Sequence, residues 1–407
     1  MVLLVEPWGD GSHRQWGEGL RQYSRHRIDI VSLPGRAWRW RLRAGAKELG
    51  QQVRAWISTN GQPDVVLVSG MTDVAQLLGF VRRDLASSVP VVVYQHESQL
   101  VYPSADGGYD SEAVVHNWLS WCVADRVLFN TDVHRRQIIE RLPPFLRGMP
   151  ETDASGPSLV KEADALFGRF FVVPVGIDPV GIDPVGIDPV GVDPADVAEL
   201  PTNPKSPTGG GGVPSAAPRN QQDGGPLILW PHRWEADKDP EAFANALERL
   251  ENAGLPFRLV LAGQDPDGVG SVGPEIRAGI VERFGSRVEA QGPFTQDIYR
   301  RWLWQSDMVV SCAHQEQFGV AVVEAVARGC VPVLPDDLSY PEVIPERWHP
   351  VALYRRGRFG TALVEAVTDF ADRQQACAGL AAAMRRYEWP RLVSMYDDHF
   401  DQLAAGE

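Results

Sequence analysis

Residues 316 to 324 run Glu-Gln-Phe-Gly-Val-Ala-Val-Val-Glu, and Ala-Val-Ala-Arg-Gly-Cys-Val-Pro-Val follows. Two carboxylates thus stand eight positions apart across a Phe-Gly turn. The small, apolar stretch after Gly319 predicts a helix that opens near Phe318 to Val320 and stops at Gly329. Its first N–H groups have no partner inside the helix and favour an anion. Eight residues of helix rise about 12 Å, the span of a ribose, two phosphates and a hexose. A carboxylate accepts a pair of hydroxyl hydrogen bonds well, so Glu316 and Glu324 suit a hexose joined to a nucleoside through a diphosphate. The competing reading is two surface glutamates flanking a loop.

A second cluster follows the apolar run Leu227 to Trp230, which leads into Pro231-His-Arg-Trp-Glu-Ala-Asp-Lys-Asp-Pro240. Arg233 and Lys238, in a loop at a strand's carboxyl end, can place two positive charges on a diphosphate. When the sugar–phosphate bond breaks, negative charge grows on the leaving phosphate, and fixed cations stabilise it. The other reading is an exposed loop whose cations pair with Glu235, Asp237 or Asp239. Ser12 and His13 resemble a nucleophile pair, but no third orienting group is evident. Asp336 and Asp337 do not form a metal motif, and the two cations supply the charge that a metal otherwise would.

These groups need a scaffold. Val2 to Val5, Val65 to Ser69, Val89 to Tyr94, Arg126 to Asn130 and Phe170 to Val173 read as buried strands alternating with helices such as Asp73 to Leu85. A second alternation has strands at Leu227 to Trp230, Phe257 to Ala262, Val288 to Gln291, Met308 to Ser311 and Val331 to Leu334. Helices fall near Pro240 to Glu251, Glu275 to Phe284, Asp297 to Gln305 and Val320 to Arg328. The fold class is therefore α/β, two doubly wound parallel-sheet domains with ligands bound beyond the carboxyl ends of the strands. Residues 1–174 form the first domain. Residues 175–225 hold three Val-Gly-Ile-Asp-Pro pentads, one Val-Gly-Val-Asp-Pro and a Pro/Gly-rich tether. Residues 226–385 form the second domain, and 386–407 a helix that returns to the first.

The formal net charge of −14 excludes indiscriminate nucleic-acid binding. Residues 1–60 nevertheless carry ten Lys or Arg against five Asp or Glu. The excess peaks at Arg36-Ala-Trp-Arg-Trp-Arg-Leu-Arg43. Arg36, Arg39, Arg41 and Arg43 with Trp38 and Trp40 suit phosphates and stacked bases, or else form an amphipathic element with solvated arginines. The four cysteines lack metal spacing, which fits reduced thiols and a cytoplasmic protein. The apolar start ends at Glu6-Pro7, a first strand rather than a signal peptide. No apolar run is long enough to span a membrane.

The cation pair and the Glu-x₇-Glu turn resemble retaining GT-B glycosyltransferases of family four, and Val173-Pro-Val-Gly-Ile-Asp178 is similar to that family's domain junction. A set of further segments resembles the tRNA-queuosine α-mannosyltransferase family: Gly11-Ser-His13, Pro34 to Arg43, Tyr94-Gln-His-Glu-Ser-Gln-Leu-Val-Tyr-Pro103, Val123-Ala-Asp125, Phe129-Asn130, Trp230 to Glu235, Asp237 to Pro240, Phe318 to Ala321 and Asp336 to Glu342. Asp10 and Ser98 depart from that family's Gly-Gly-Ser-His and His-Glu-Asn-Gln. The resemblance implies two Rossmann-like domains facing across a cleft and mannose transfer from GDP-mannose to queuosine in tRNA. It implies no cofactor beyond that co-substrate and no metal. It assigns Arg233 and Lys238 to the diphosphate, the N–H groups of Phe318, Gly319 and Val320 to the same anion, Glu324 to the ribose and Glu316 to the mannose. His96 would face the sugar, and Gly11, Ser12 and His13 the reacting centre or acceptor. The alternatives are a related transferase acting on a small glycoside or lipid carrier, and a non-catalytic sugar-nucleotide or RNA-binding module.

Overall fold

The computed structural model describes residues 1–102, 109–149, 159–180, 224–265 and 273–406. Its first sheet contains β1 (Val2–Glu6), β2 (Ile28–Ser32), β3 (Val65–Ser69), β4 (Val91–Gln95), β5 (Arg126–Phe129) and β6 (Phe170–Val172), in the order β2-β1-β3-β4-β5-β6 and parallel throughout. The second contains β7 (Leu227–Trp230), β8 (Arg258–Leu261), β9 (Val288–Gln291), β10 (Met308–Val310), β11 (Val331–Pro335) and β12 (Leu353–Tyr354), in the order β12-β11-β10-β7-β8-β9, again parallel.

The central strands are continuous apolar runs because helices cover both faces of each sheet. Val2 and Leu4 pack on one side of the first sheet, Leu3 and Val5 on the other. Leu227 and Leu229 divide from Ile228 and Trp230 in the same way. The sequence pattern missed β2 and β12. Both are edge strands; β2 reads Ile-Asp-Ile-Val-Ser and is only partly buried, and β12 is two residues long.

One apolar core runs through both domains and includes Trp16, Val173, Ile177, Leu229, Val323 and Trp389. The chain crosses at Val173 to Ile177 and returns through helix Trp389–Ala404. Ile177 donates its N–H to Tyr387 at 2.8 Å and accepts from Trp389 at 3.0 Å. Trp389 packs where side chains are missing: a Cβ on Gly19 would lie 2.0 Å from its Nε1, and one on Gly176 2.3 Å from its Cδ2. Further along the helix, Tyr396 accepts from Trp16 Nε1 at 3.0 Å and donates to Pro174 at 2.8 Å. Of the pentad array only its first residues, up to Val180, lie within the described residues.

Candidate active site

The chain leaves β7 towards β8 on one side and later sets β10 on the other, so the loops after β7 and β10 bound a crevice at a topological switch point. The first loop carries Arg233 and Lys238, the second Glu316. Lys238 closes the 3-10 turn Ala236–Lys238. Its ammonium donates to Gln315 O at 2.7 Å and lies 3.1 Å from Asp237 and 3.4 Å from Glu316. Burial opposes the charge, but Glu316 and then Asp237 outweigh it and raise the pKa above the ordinary lysine value. Arg233 is half exposed and pairs with Glu235 at 3.1 Å. The ion pairs of an ordinary loop are thus present, and Lys238 extends them to Glu316.

Gly319 makes the turn that aims the next helix. Its φ is +81°, and a Cβ there would stand 3.2 Å from the Tyr340 ring and 3.4 Å from Glu316 Cγ. Helix Val320–Ala327 begins at the next residue and has no side-chain cap among the described residues, which leaves its first N–H groups open to an anion. Phe318 is buried edge-on against Tyr387. Glu324, inside the helix, is buried, and that burial lifts its carboxyl to about 7 against the opposing effect of Arg328. Its charged neighbours are Arg328, Asp178 and Arg300 rather than Lys238. Arg300 pairs with Asp178 of the domain junction, and the nearby Tyr299 hydroxyl is buried without a hydrogen-bond partner among the described residues. The two glutamates therefore occupy separate settings.

Across the crevice, Asp10 caps helix Gly11–Tyr23 by accepting from Gly11 N at 2.8 Å, so Gly11, Ser12 and His13 form its first turn. The Asp10 departure thus serves as a helix cap. Glu6, the last residue of β1, lies 3.1 Å from His13 Nδ1. Burial works against a charged His13, yet Glu6 prevails and raises its pKa above 6.5. The His13 ring lies 4.2 Å from that of His96, which also packs on Trp16 and Tyr94. Burial, and then the charge of His13, push His96 well below 6.5. A neutral His96 thus presents a buried Nε2 that has no hydrogen-bond partner among the described residues. Ligand atoms of Glu6, His13 and His96 all lie within 4.8 Å of one another, a donor set with the composition of a metal site. The Glu6–His13 hydrogen bond already joins two of its members.

The domains also touch at the crevice. Tyr102 donates its hydroxyl proton to Asp237, and Thr131 donates to Gln317 O at 3.0 Å. The charge of Arg233 reaches His13 and Glu97 of the first domain. Sequence reading singled out neither Glu6 nor the Tyr102–Asp237 pair. A carboxylate ending an apolar strand was the available signal for Glu6; the tyrosine and its partner are 135 positions apart.

The Arg/Trp strip opens helix Trp38–Asn60, with Ala37 at a φ of +55° before it. Trp38 and Arg39 are its first two residues. Arg41 is buried and donates to Glu48 at 2.9 Å. Arg43 holds Glu112 at 2.8 Å and Asp110 at 3.4 Å. Arg36 and Trp40 are exposed, Trp40 by 65%. The strip is thus neither wholly solvated nor wholly available.

Residues 1–167 match the tRNA-queuosine alpha-mannosyltransferase N-terminal family, and residues 225–373 match glycosyl transferases group 1. A tRNA-queuosine alpha-mannosyltransferase of Drosophila melanogaster is 29% identical over 349 residues, 85% of this chain and 82% of that protein. A GDP-mannose:cellobiosyl-diphosphopolyprenol alpha-mannosyltransferase of Xanthomonas oryzae pv. oryzae is 26% identical over 187 residues, 44% of this chain and 48% of that protein. Sucrose-phosphate synthase from Thermosynechococcus elongatus superposes with a TM-score of 0.67 at 14% identity, over 100% of this chain and 99% of its own. A UDP-forming alpha,alpha-trehalose-phosphate synthase from Burkholderia vietnamiensis gives 0.63 at 13%, over 100% and 97%. At such identities the structures share the fold, which is GT-B.

Proposed function

We propose that the chain, whose residues 1–167 match the tRNA-queuosine alpha-mannosyltransferase N-terminal family, moves mannose from GDP-mannose to queuosine in tRNA. The observation that carries the acceptor is the match of residues 1–167, most of the first domain, to that family's N-terminal model. The similarity of the chain to a GDP-mannose-named relative supports the donor.

In this reading Arg233 and Lys238 hold the diphosphate, Glu316 the mannose and Glu324 the ribose. The uncapped N–H groups after Gly319 face the phosphates. The bond from the anomeric carbon to phosphate breaks, and a bond from that carbon to an acceptor hydroxyl oxygen forms. The hydroxyl proton passes to the leaving phosphate, so no protein base is needed. The buried Lys238 stabilises the charge that grows there more than an exposed lysine would, because less water screens it. His96 offers its vacant Nε2 to a mannose hydroxyl. The reading takes retention at the anomeric carbon and, since two cations already serve the leaving group, no metal. It places the enzyme in the cytoplasm. Among the described residues no helix is long and apolar enough to cross a membrane.

The test is to incubate the protein with a panel of nucleotide sugars and queuosine-bearing tRNA, digest the RNA and weigh the nucleosides. A gain of one hexose on queuosine, with GDP-mannose alone, is the expected result. Hexose transfer to a lipid carrier or small glycoside, with none to RNA, overturns the acceptor. Single-turnover release of GDP separates an enzyme from a binding module.

A further inference from the structure

Outboard of Glu316 the second domain has another pocket, of about 270 Å³. Residues at the carboxyl ends of β10, β11 and β12 form one wall, and helices Pro240–Asn252 and Phe359–Thr368 the others. Arg249, Arg356 and Arg358 line it. Arg356 pairs with Asp337 and lies 3.4 Å from His314 Nδ1. Among the described residues neither Arg249 nor Arg358 has a carboxylate partner, and both are exposed. Arg249 lies across Gly360, where a Cβ would stand 2.8 Å from its Cδ. The sequence there is Arg355-Arg-Gly-Arg358, three arginines in four exposed residues of a chain with a net charge of −14. Such a concentration in an acidic protein selects a local anion rather than attracting polyanions everywhere. The guanidinium fork matches phosphate oxygens.

The pocket adjoins the crevice. His314 donates its N–H to Asp237 O at 2.7 Å and pairs with Asp239 at 3.0 Å, so it brackets Lys238. Tyr102 reaches Asp237 from the first domain. A few residues beyond Tyr102, Asp110 and Glu112 hold Arg43 of the Arg/Trp strip. Arg36 and Trp40 are thus exposed on the first domain, and the arginine pocket lies on the second beside the loop that Tyr102 contacts.

We infer that this pocket takes a backbone phosphate of the acceptor RNA, so that the RNA spans both domains. The inference rests on the reading of tRNA as acceptor. A small glycoside would fill the crevice without reaching Arg249 or Arg358, whereas a polynucleotide must continue past the reacting hydroxyl.

The full-length chain, an R249E/R358E variant and an R249K/R358K variant are titrated with tRNA over a salt series, and separately with GDP-mannose. The glutamate variant is expected to raise the tRNA Kd about tenfold and to flatten the salt slope by about one to two. The lysine variant keeps most of the affinity, and GDP-mannose binding stays unchanged in both. If the glutamate variant loses GDP-mannose binding, R249A and R358A are read in the same way. Wild-type tRNA affinity and salt slope in a variant that binds GDP-mannose overturn the pocket and leave the acceptor reading standing. A wild-type protein that neither binds tRNA nor adds hexose to it overturns both.

Discussion

Glu6 holds His13 Nδ1 at 3.1 Å with one carboxylate oxygen and accepts the Trp8 N–H at 2.8 Å with the other. A single buried group thus fixes both the imidazole and the loop that leads to it. Glu6→Gln keeps the shape and removes the charge. The expected result is an alkaline limb of the activity profile shifted to lower pH, with the KM for GDP-mannose little changed. The sign for stability follows from the raised pKa of His13. The pair's contribution is complete below the ordinary value of 6.5 and is lost as pH rises through the raised one. The Tm gap between the two proteins should therefore be widest near pH 5 to 6. A pH profile and a Tm gap that ignore the substitution would refute the pairing.

Glu324 shares that direction with pH, but here it is the ionised group itself that is unfavourable. Its carboxyl titrates at about 7 in the fold instead of 4.5, so ionising it costs stability as pH rises between those values. Glu324→Gln should match the wild type in stability below pH 4.5 and exceed it by up to about 3 kcal/mol above pH 7. If the carboxylate binds ribose, the same variant weakens GDP-mannose binding most at high pH. Denaturant melts at several pH values, paired with calorimetric titrations, check both halves; a pH-independent stability difference would sink the first.

Lys238→Met removes the cation shared by Glu316 and Asp237. A fall in kcat of about 10²- to 10³-fold is expected from the lost charge on the leaving group. Stability should drop by about 3 kcal/mol, because two partly buried carboxylates lose their partner. Retained turnover in a folded variant would remove Lys238 from the proposed chemistry.

Glu342 of the second domain accepts the N–H groups of Asp132 and Val133 at 2.8 Å each, at the start of helix Asp132–Arg147 in the first. A carboxylate there satisfies two unpaired donors and opposes the helix dipole. Glu342→Ala should cost about 1 to 2 kcal/mol and speed hydrogen exchange at those two amides. Unaltered exchange would show that the clamp does not hold the domains.

The sequence by itself determined the parallel α/β architecture, the Phe318–Gly319 turn and the two loops that carry Arg233, Lys238 and Glu316. Each follows from local physics. Unbroken runs such as Val-Val-Leu-Val fit only strands covered on both faces, a φ of +81° favours glycine, and a strand's carboxyl end is where a loop can carry Arg233 and Lys238. Edge strands β2 and β12 escaped because one flank lacks the covering that writes an apolar pattern. Tertiary structure alone decided that Arg41 turns inward onto Glu48 and Arg43 onto Glu112, that Tyr102 meets Asp237, and that Glu324 lies apart from the Lys238–Glu316 cluster. The reason is that charge state and availability depend on burial and on which loops converge at the switch points. The Arg43–Glu112 and Tyr102–Asp237 contacts link positions far apart in the chain, and even the Arg41–Glu48 pair within one helix depends on which side of that helix is buried.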